Sequence, residues 1–422
     1  MRKLLLAGSA LLWMLSGCSS APRPASTPEE ADSTDLSEAQ EATPQGGGQT
    51  EPMAPPKGVK RLWGVRYQGL ITDLTPASRS ERILVTVVPD SERPGAGENR
   101  TLLVDGRGRT LWSRPNFARV RAQALSPDGK MAVLATYDDE LLALDSRGKL
   151  LWARPAHCRP VLLSAKSPVF CHQDDSVRPG VVYQLFSNRS GQEIRVFPAN
   201  RDPLIVKVAD DSGALLVGMS DGEFLLLDSD FEVQLQKRVP LDWLDLAISN
   251  ELPEGGRRIL ALGRAKKEAV RELRIWDQAG REIAQKGLLG FIPDGVDFLE
   301  KDSSRVVVHG VGPQGQTLMG LERETLKRVW KRTLGRAGDA LQSWSTVGST
   351  WVAAAQDTSG QGRAHRIRFL GWDAQRGRSS FRFEDENDEG AYGLWSVWTS
   401  AGPALAVIGD SGELSVWAPT AH

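Results

Sequence analysis

The sequence predicts an all-β fold, a closed ring of eight four-stranded blades, and three observations carry that prediction. One segment recurs along the chain: an apolar or alternating run, an acidic residue, a tight glycine turn, then a second run. The first runs end at residues 104, 144, 186, 227, 276, 321, 372 and 417, so the copies lie 40 to 51 residues apart, about 45 on average. That spacing is the period of a four-stranded propeller blade. No long helical pattern interrupts the series, and 42 glycines supply the many turns such a chain needs.

The clearest copies are Leu102-Leu103-Val104-Asp105 with Gly108 and Trp112, and Leu141-Leu142-Ala143-Leu144-Asp145 with Gly148 and Trp152. Leu225-Leu226-Leu227-Asp228 and Leu273-Arg274-Ile275-Trp276-Asp277 with Gly280 repeat the plan. A longer turn joins Ser187 to Gly191, Glu322 to Trp330, and Asp373 to Gly377 and Phe381, and the last copy stops at Leu414-Ser415-Val416-Trp417. Within the second copy all four strands can be read. Ala122–Ser126 is followed by the Pro127-Asp128-Gly129 turn, Met131–Thr136, a turn at Asp138-Asp139, Glu140–Leu144 and Leu150–Ala153. The central runs are continuously apolar, as expected where both faces of a sheet are covered. Seven blades with a divergent insertion is the alternative that the longer steps leave open.

A ring must close, because an open edge invites pairing with another chain. The eighth copy has no room for a fourth strand after Trp417. Residues 60–66, Lys60-Arg61-Leu62-Trp63-Gly64-Val65-Arg66, match the fourth-strand segments around Trp112 and Trp152. They are expected to complete the blade formed by 392–417. In the turns, Asp105-Gly106-Arg107-Gly108 offers a position for positive φ, and the tryptophan that follows is a filler between blades.

The N-terminus has a different logic. Arg2 and Lys3 precede a mostly apolar stretch, Leu4 to Leu15, of about twelve residues. That is too short for a membrane span, which needs roughly 20, and right for a signal peptide core. Leu15-Ser16-Gly17-Cys18 looks like a bacterial lipobox, so residues 1–17 are expected to be removed and Cys18 to carry acyl chains. Ser19 after the cysteine resembles the pattern of lipoproteins passed to the outer membrane of Gram-negative bacteria. Residues 18–58 read as a lipidated, disordered tether with seven acidic residues and only Leu36 and Met53 as large apolar ones. Its reach as a flexible chain is roughly 35 Å. The propeller then fills 59–422.

The Asp-x-x-Gly-x-x-x-Trp turns, their longer form near Glu322 and Trp330, and the eightfold count resemble the PQQ-type propeller repeat over about residues 60–417. With lipobox and tether added, the chain is similar to the lipoprotein propellers of the outer-membrane β-barrel assembly machinery. The resemblance implies a periplasm-facing, lipid-anchored scaffold, and β-barrel assembly components as its partners.

The residues themselves favour binding over catalysis. The chain holds 52 basic and 53 acidic residues, which gives no reason to expect nucleic acid as a partner. A quinone enzyme of this fold would resemble its relatives in having adjacent cysteines, and none are adjacent here. Gly46-Gly47-Gly48 lacks the lysine and strand of a phosphate loop, and Ser359-Gly360-Gln361-Gly362 is no nucleophile elbow. Histidines 157, 172, 309, 365 and 422 have no zinc spacing, although His157 and His172 can approach through a hairpin. No catalytic, metal or cofactor residue is therefore assigned, and a monomeric, non-enzymatic scaffold is expected. A ligand-binding or sensing propeller with a polar central channel is the alternative, and a quinoprotein-like enzyme a more distant one.

Cys158 and Cys171 flank a hairpin read as Pro160–Ser164, a turn at Ala165-Lys166-Ser167, and Pro168–His172. Export permits oxidation, so a Cys158–Cys171 disulfide is expected. Two charge runs remain. Glu384-Asp385-Glu386-Asn387-Asp388-Glu389 reads as a solvated loop, with calcium as the alternative. Arg264, Lys266, Lys267, Arg271 and Arg274 read as a solvated hairpin, with an acidic partner surface as the alternative.

Overall fold

The repeat of the sequence becomes eight separate antiparallel sheets of four strands each, a β-propeller. The computed structural model describes residues 59–89, 98–116, 118–172, 183–197, 203–265, 270–299, 304–334, 340–347, 351–357, 367–385, 391–409 and 412–420. The signal segment, Cys18 and the tether lie outside these residues, as do Lys266, Lys267, residues 386–389, Ser359–Gly362, His365 and His422.

Blade 1 runs outward through β2 (Leu70–Pro76), β3 (Ile83–Val88), β4 (Arg100–Val104) and β5 (Thr110–Pro115). Blades 2 to 7 repeat that order from β6 (Val120–Leu125) to β29 (Ser379–Asp385). Blade 8 takes β30 (Ala391–Thr399), β31 (Gly402–Gly409) and β32 (Glu413–Pro419) from the end of the chain. Its fourth strand is β1 (Val59–Arg66), paired antiparallel with β32 from Val59 opposite Pro419 to Arg66 opposite Glu413.

Two faces follow from this connectivity. One carries the first-to-second and third-to-fourth turns, and there the chain enters at Val59. The other carries the second-to-third turns and the links between blades.

The core lies between the blades. Second strands are buried on both sides, as in β7 (Met131–Thr136) and β15 (Ala214–Met219). Leu84 and Leu103 of blade 1 pack with Leu134 and Leu144 of blade 2, and Val85 of blade 1 packs with Ala404 and Val416 of blade 8. First strands bulge near their start, at Ile71/Asp73, Trp243/Asp245 and Pro293/Gly295 among others, which adds local twist.

The turns explain the repeated aspartate. Asp105 Oδ1 accepts the N–H of Arg107 (2.9 Å) and of Arg109 (3.0 Å), and Asp145 Oδ1 accepts those of Arg147 (2.8 Å) and Lys149 (2.9 Å). Burial opposes ionisation of Asp105. The Arg109 and Arg107 N–H groups and the Arg109 guanidinium outweigh it and hold the carboxyl below its usual range.

The glycine three residues on has φ +79 in both turns, at Gly108 and Gly148. A Cβ there would lie 2.8 Å from the Trp63 ring and 2.9 Å from the Trp112 ring, respectively. Each tryptophan thus wedges into the glycine slot of the next blade. Trp152 does so at Gly191, Leu235 at Gly280 and Trp330 at Gly377. Three indoles also donate across the junction: Trp63 Nε1 to Gly106 O (2.7 Å), Trp152 Nε1 to Asn188 O (2.8 Å) and Trp330 Nε1 to Ala374 O (3.0 Å).

Two junctions reverse the wedge. Arg195 and Ala284 occupy the outer-strand position of blades 3 and 5, paired opposite Leu185 and Ile275 as Trp112 is opposite Leu103. The following turns then carry Phe231 and Leu326 in place of glycine, both fully buried and both at positive φ, 62° and 53°. A bulky residue in that region costs on the order of 1–2 kcal/mol. Burying its side chain offsets that with roughly 1.5–3 kcal/mol.

Cys158 and Cys171 form a disulfide, with Cα atoms 5.4 Å apart. The inner strand of blade 3, β10 (Arg159–Val161), is shorter than the run 160–164 suggests. The Ser164 hydroxyl accepts the N–H groups of Lys166 (3.2 Å) and Ser167 (3.0 Å), and this local turn draws the backbone away from the ladder. Replacing both cysteines with serine is expected to lower stability by about 3 kcal/mol on the loop-closure estimate, read as a shift in urea midpoint under non-reducing conditions.

Candidate functional site

Two features stand out, an apolar groove on the linking face and a polar cavity in the central channel. The groove follows from one turn. β21 (Glu282–Gly287) ends blade 5 and β22 (Ile292–Phe298) starts blade 6. Between them, Leu288 and Phe291 point into the core, 7% and 8% exposed, and Leu288 N–H bonds to Arg271 O at 2.8 Å. Gly290 takes φ +67 with open space around its absent Cβ. The turn therefore pushes Leu289 outward, where it is 84% exposed, beside Ile292 at 50% and Val311 at 37%.

These residues and the arginines of the adjoining hairpin line an open groove of about 640 Å³. Arg264 is exposed, and Arg271 Nη1 is buried with no hydrogen-bond acceptor among the described residues. Arg274, the third described member of the basic run, is instead paired with Glu272 (2.6 Å) and Glu282 (3.4 Å). Sequence reading found these arginines as charge but missed the groove. The Leu288-Leu289-Gly290-Phe291-Ile292 run was its one signal, since four large apolar residues around a glycine exceed what a turn can bury.

The cavity lies toward the other face, where the inner strands β14 (Pro203–Val208), β18 (Leu241–Ile248), β22 and β26 (Ala340–Val347) end. Its volume is about 220 Å³, and Lys207, Asp210, Asn250, Asp297, Ser345 and Thr346 give it a polar wall. Lys207 Nζ pairs with Asp245 Oδ1 at 3.1 Å. The same oxygen accepts the Leu246 N–H (2.9 Å), and Asp245 Oδ2 accepts the Val296 N–H (3.0 Å). Burial disfavours the Lys207 ammonium, but the Asp245 and Asp297 charges more than offset it and raise its pKa.

Asp297 Oδ1 accepts the N–H of Phe298 at 2.8 Å. Burial pushes the Asp297 carboxyl up to about 6 and Asp245 adds to this, while Lys207 and the Phe298 N–H act against it. Asp73, on the first strand of blade 1, is likewise pushed up to about 6 by burial, against the Leu74 N–H and Arg159. His309 reaches over Gly295, where a Cβ would lie 2.2 Å from its Nε2, and packs on the Trp344 ring at 4.9 Å. Burial lowers its pKa with help from Lys207, and Asp294 and Asp245 oppose that. Near the same face the hydroxyls of Ser78 in blade 1 and Ser212 in blade 4 lie 3.0 Å apart.

The sign of the Asp297 effect is testable. A carboxyl with a raised folded pKa contributes its stability below the unfolded value near 4 and loses it as pH rises through about 6. Asp297→Asn is thus expected to match the parent in acid and to exceed it by at most about 3 kcal/mol near pH 8. Chemical denaturation across that range reads it.

Of the residues singled out in the sequence, Cys158 and Cys171 are brought together. His157 precedes the disulfide at the edge of blade 3. It contacts Asp139 and lies 2.7 Å from Arg121 Nη1 through Nε2, while His172 sits on β11 (Val169–His172) opposite Arg159. Glu384 and Asp385 close β29, and the rest of that acidic run lies outside the described residues.

No protein-family model matches the chain, and no curated protein matches it. Among solved structures, the crystal structure of BamB from Moraxella catarrhalis is similar, with a TM-score of 0.55 and 15% identity. The match covers 85% of this chain and 99% of that one. At this identity the likeness speaks for the fold, an eight-bladed propeller.

Proposed function

We propose that the chain is a non-catalytic scaffold, anchored through Cys18 at the periplasmic side of the outer membrane, that docks a protein partner and assists β-barrel assembly. The observation that carries the docking reading is the groove at Leu289, Ile292 and Val311. Exposed apolar side chains grouped on a rigid ring mark interaction surfaces. The flanking Arg264 and Arg271 select the partner's chemistry, an extended segment with apolar side chains and a carboxylate. The setting is supported by the lipobox at Leu15–Cys18 and by the fold shared with BamB.

The test is crosslinking in cells from photoreactive residues at positions 289 and 292, followed by recovery from gently solubilised native membranes. Barrel-assembly components are expected as the crosslinked species. Leu289→Asp combined with Ile292→Asp is expected to weaken their recovery about tenfold or more, the loss of roughly 1.4 kcal/mol or above, at an unchanged melting temperature. Adducts confined to unrelated envelope proteins would remove the assembly role. Equal recovery by the double variant would remove the groove.

A further inference from the structure

The channel cavity is separate from the docking groove and opens toward the opposite face. Among the described residues its wall carries the carboxylates of Asp210 and Asp297 and the ammonium of Lys207. Lys207 is the one ammonium among the described residues of its wall, and Asp245 engages it at 3.1 Å. Asp245 is further occupied by the Leu246 and Val296 N–H groups. Asp297 stands beside this pair with a single hydrogen bond among the described residues, from the Phe298 N–H to Oδ1. Its other oxygen has no donor among the described residues, and Asp297 lines the open cavity. Asp210 adds a further carboxylate at the mouth, with Asn250, Ser345 and Thr346 as neutral polar neighbours.

We propose that this cavity binds a small organic cation, a compact primary amine, with Asp297 as its counter-ion. An ammonium supplies the donors that the Asp297 oxygen lacks, and its charge offsets the second carboxylate beside the Lys207–Asp245 pair. The fit is one of size as well. The volume of about 220 Å³ corresponds to roughly seven waters, room for a short alkyl amine. A carboxylate or phosphate ligand would meet Asp297 and Asp210 with like charge.

The groups facing the site set its pH dependence. They are Lys207 and Asp210 from blade 4, Asp245 from blade 5, and Asp294, Asp297 and His309 from blade 6. Lys207 stays charged through the neutral range, and burial disfavours the imidazolium of His309. Asp297 changes charge near pH 6, so an amine should bind above that pH and be released below it.

The experiment is isothermal titration of the full-length protein with 1,4-diaminobutane, and with 1,4-butanediol and succinate as neutral and anionic probes of equal length. One diamine is expected to bind per chain, with affinity falling about tenfold from near pH 7.5 to near pH 5 as the ionised fraction of Asp297 drops. The diol and the dianion should bind at least about tenfold more weakly. Asp297→Asn should abolish the pH dependence and most of the affinity, while Lys207→Met should tighten binding by removing a competing ammonium. Thermal melts establish that both variants are folded. Diol binding as tight as diamine binding would overturn the proposal. So would diamine affinity that survives Asp297→Asn, or no heat of binding at millimolar diamine in the folded parent.

Discussion

Removing residues 59–66 is expected to leave a chain that does not reach a stable native ring. The strand contributes a buried Val59, 3% exposed, and a ladder that runs the length of β32. It also supplies Trp63, which fills the slot at Gly108 and donates to Gly106 O at 2.7 Å. Trp63 is half-buried, so its loss costs less than the about 3–5 kcal/mol of a fully buried tryptophan, but the whole ladder to β32 goes with it, and a domain is stable by only about 5–15 kcal/mol. Deletion also leaves β32 as an open edge, ready to pair with another chain. The expected outcome is a low, broad melting transition and concentration-dependent association in sedimentation. A synthetic peptide with the sequence of residues 57–68 should restore part of the lost midpoint. A truncated chain that melts within about 3 °C of the parent would show that the ring does not depend on this strand.

Trp330→Ala is expected to be the costliest single change among the junction residues, about 3–5 kcal/mol. Trp330 is 5% exposed and held between two glycines. A Cβ at Gly320 would lie 2.2 Å from its ring and one at Gly377 2.7 Å, so both glycines exist to admit it. Its truncation empties that slot, which neither backbone can fill, and leaves Ala374 O without its 3.0 Å donor. Trp330→Phe keeps most of the volume and loses the N–H, so it should cost roughly 1–2 kcal/mol. Urea midpoints separate the two. Equal midpoints for the alanine variant and the parent would mean that the wedge carries no stability.

Legibility in the sequence followed locality. Asp105, Gly108 and Trp112 lie within one turn, and the constraint that unites them is local, so the blade count could be read from spacing alone. The Trp63 segment was readable for the same reason, because it repeats the fourth strand of other blades. The reversed junctions were not readable. Arg195 and Ala284 look like defects until Phe231 and Leu326 are seen to fill the same space from the other side, about 40 residues along.

The channel groups were hidden by distance. Lys207, Asp245 and Asp297 sit in three different blades, and each alone is an ordinary charged residue in a strand. The groove was hidden by direction, since nothing in Leu288-Leu289 says which leucine points inward until Gly290 fixes the turn.

The two kinds of junction have a consequence for how such a chain can change. A blade that ends in Trp152 must be followed by one whose turn offers an empty slot, and a blade that ends in Ala284 by one whose turn brings its own filler. Exchange the fourth and second blades, and Phe231 would collide with Trp112. Place a glycine turn after blade 5, and a void would open beside Ala284. Blade order is therefore constrained at the seams, and a blade can be exchanged only for one with the same kind of slot and the same kind of edge, even though the backbones are alike. A new blade could enter this ring only where its slot and its edge match both neighbours.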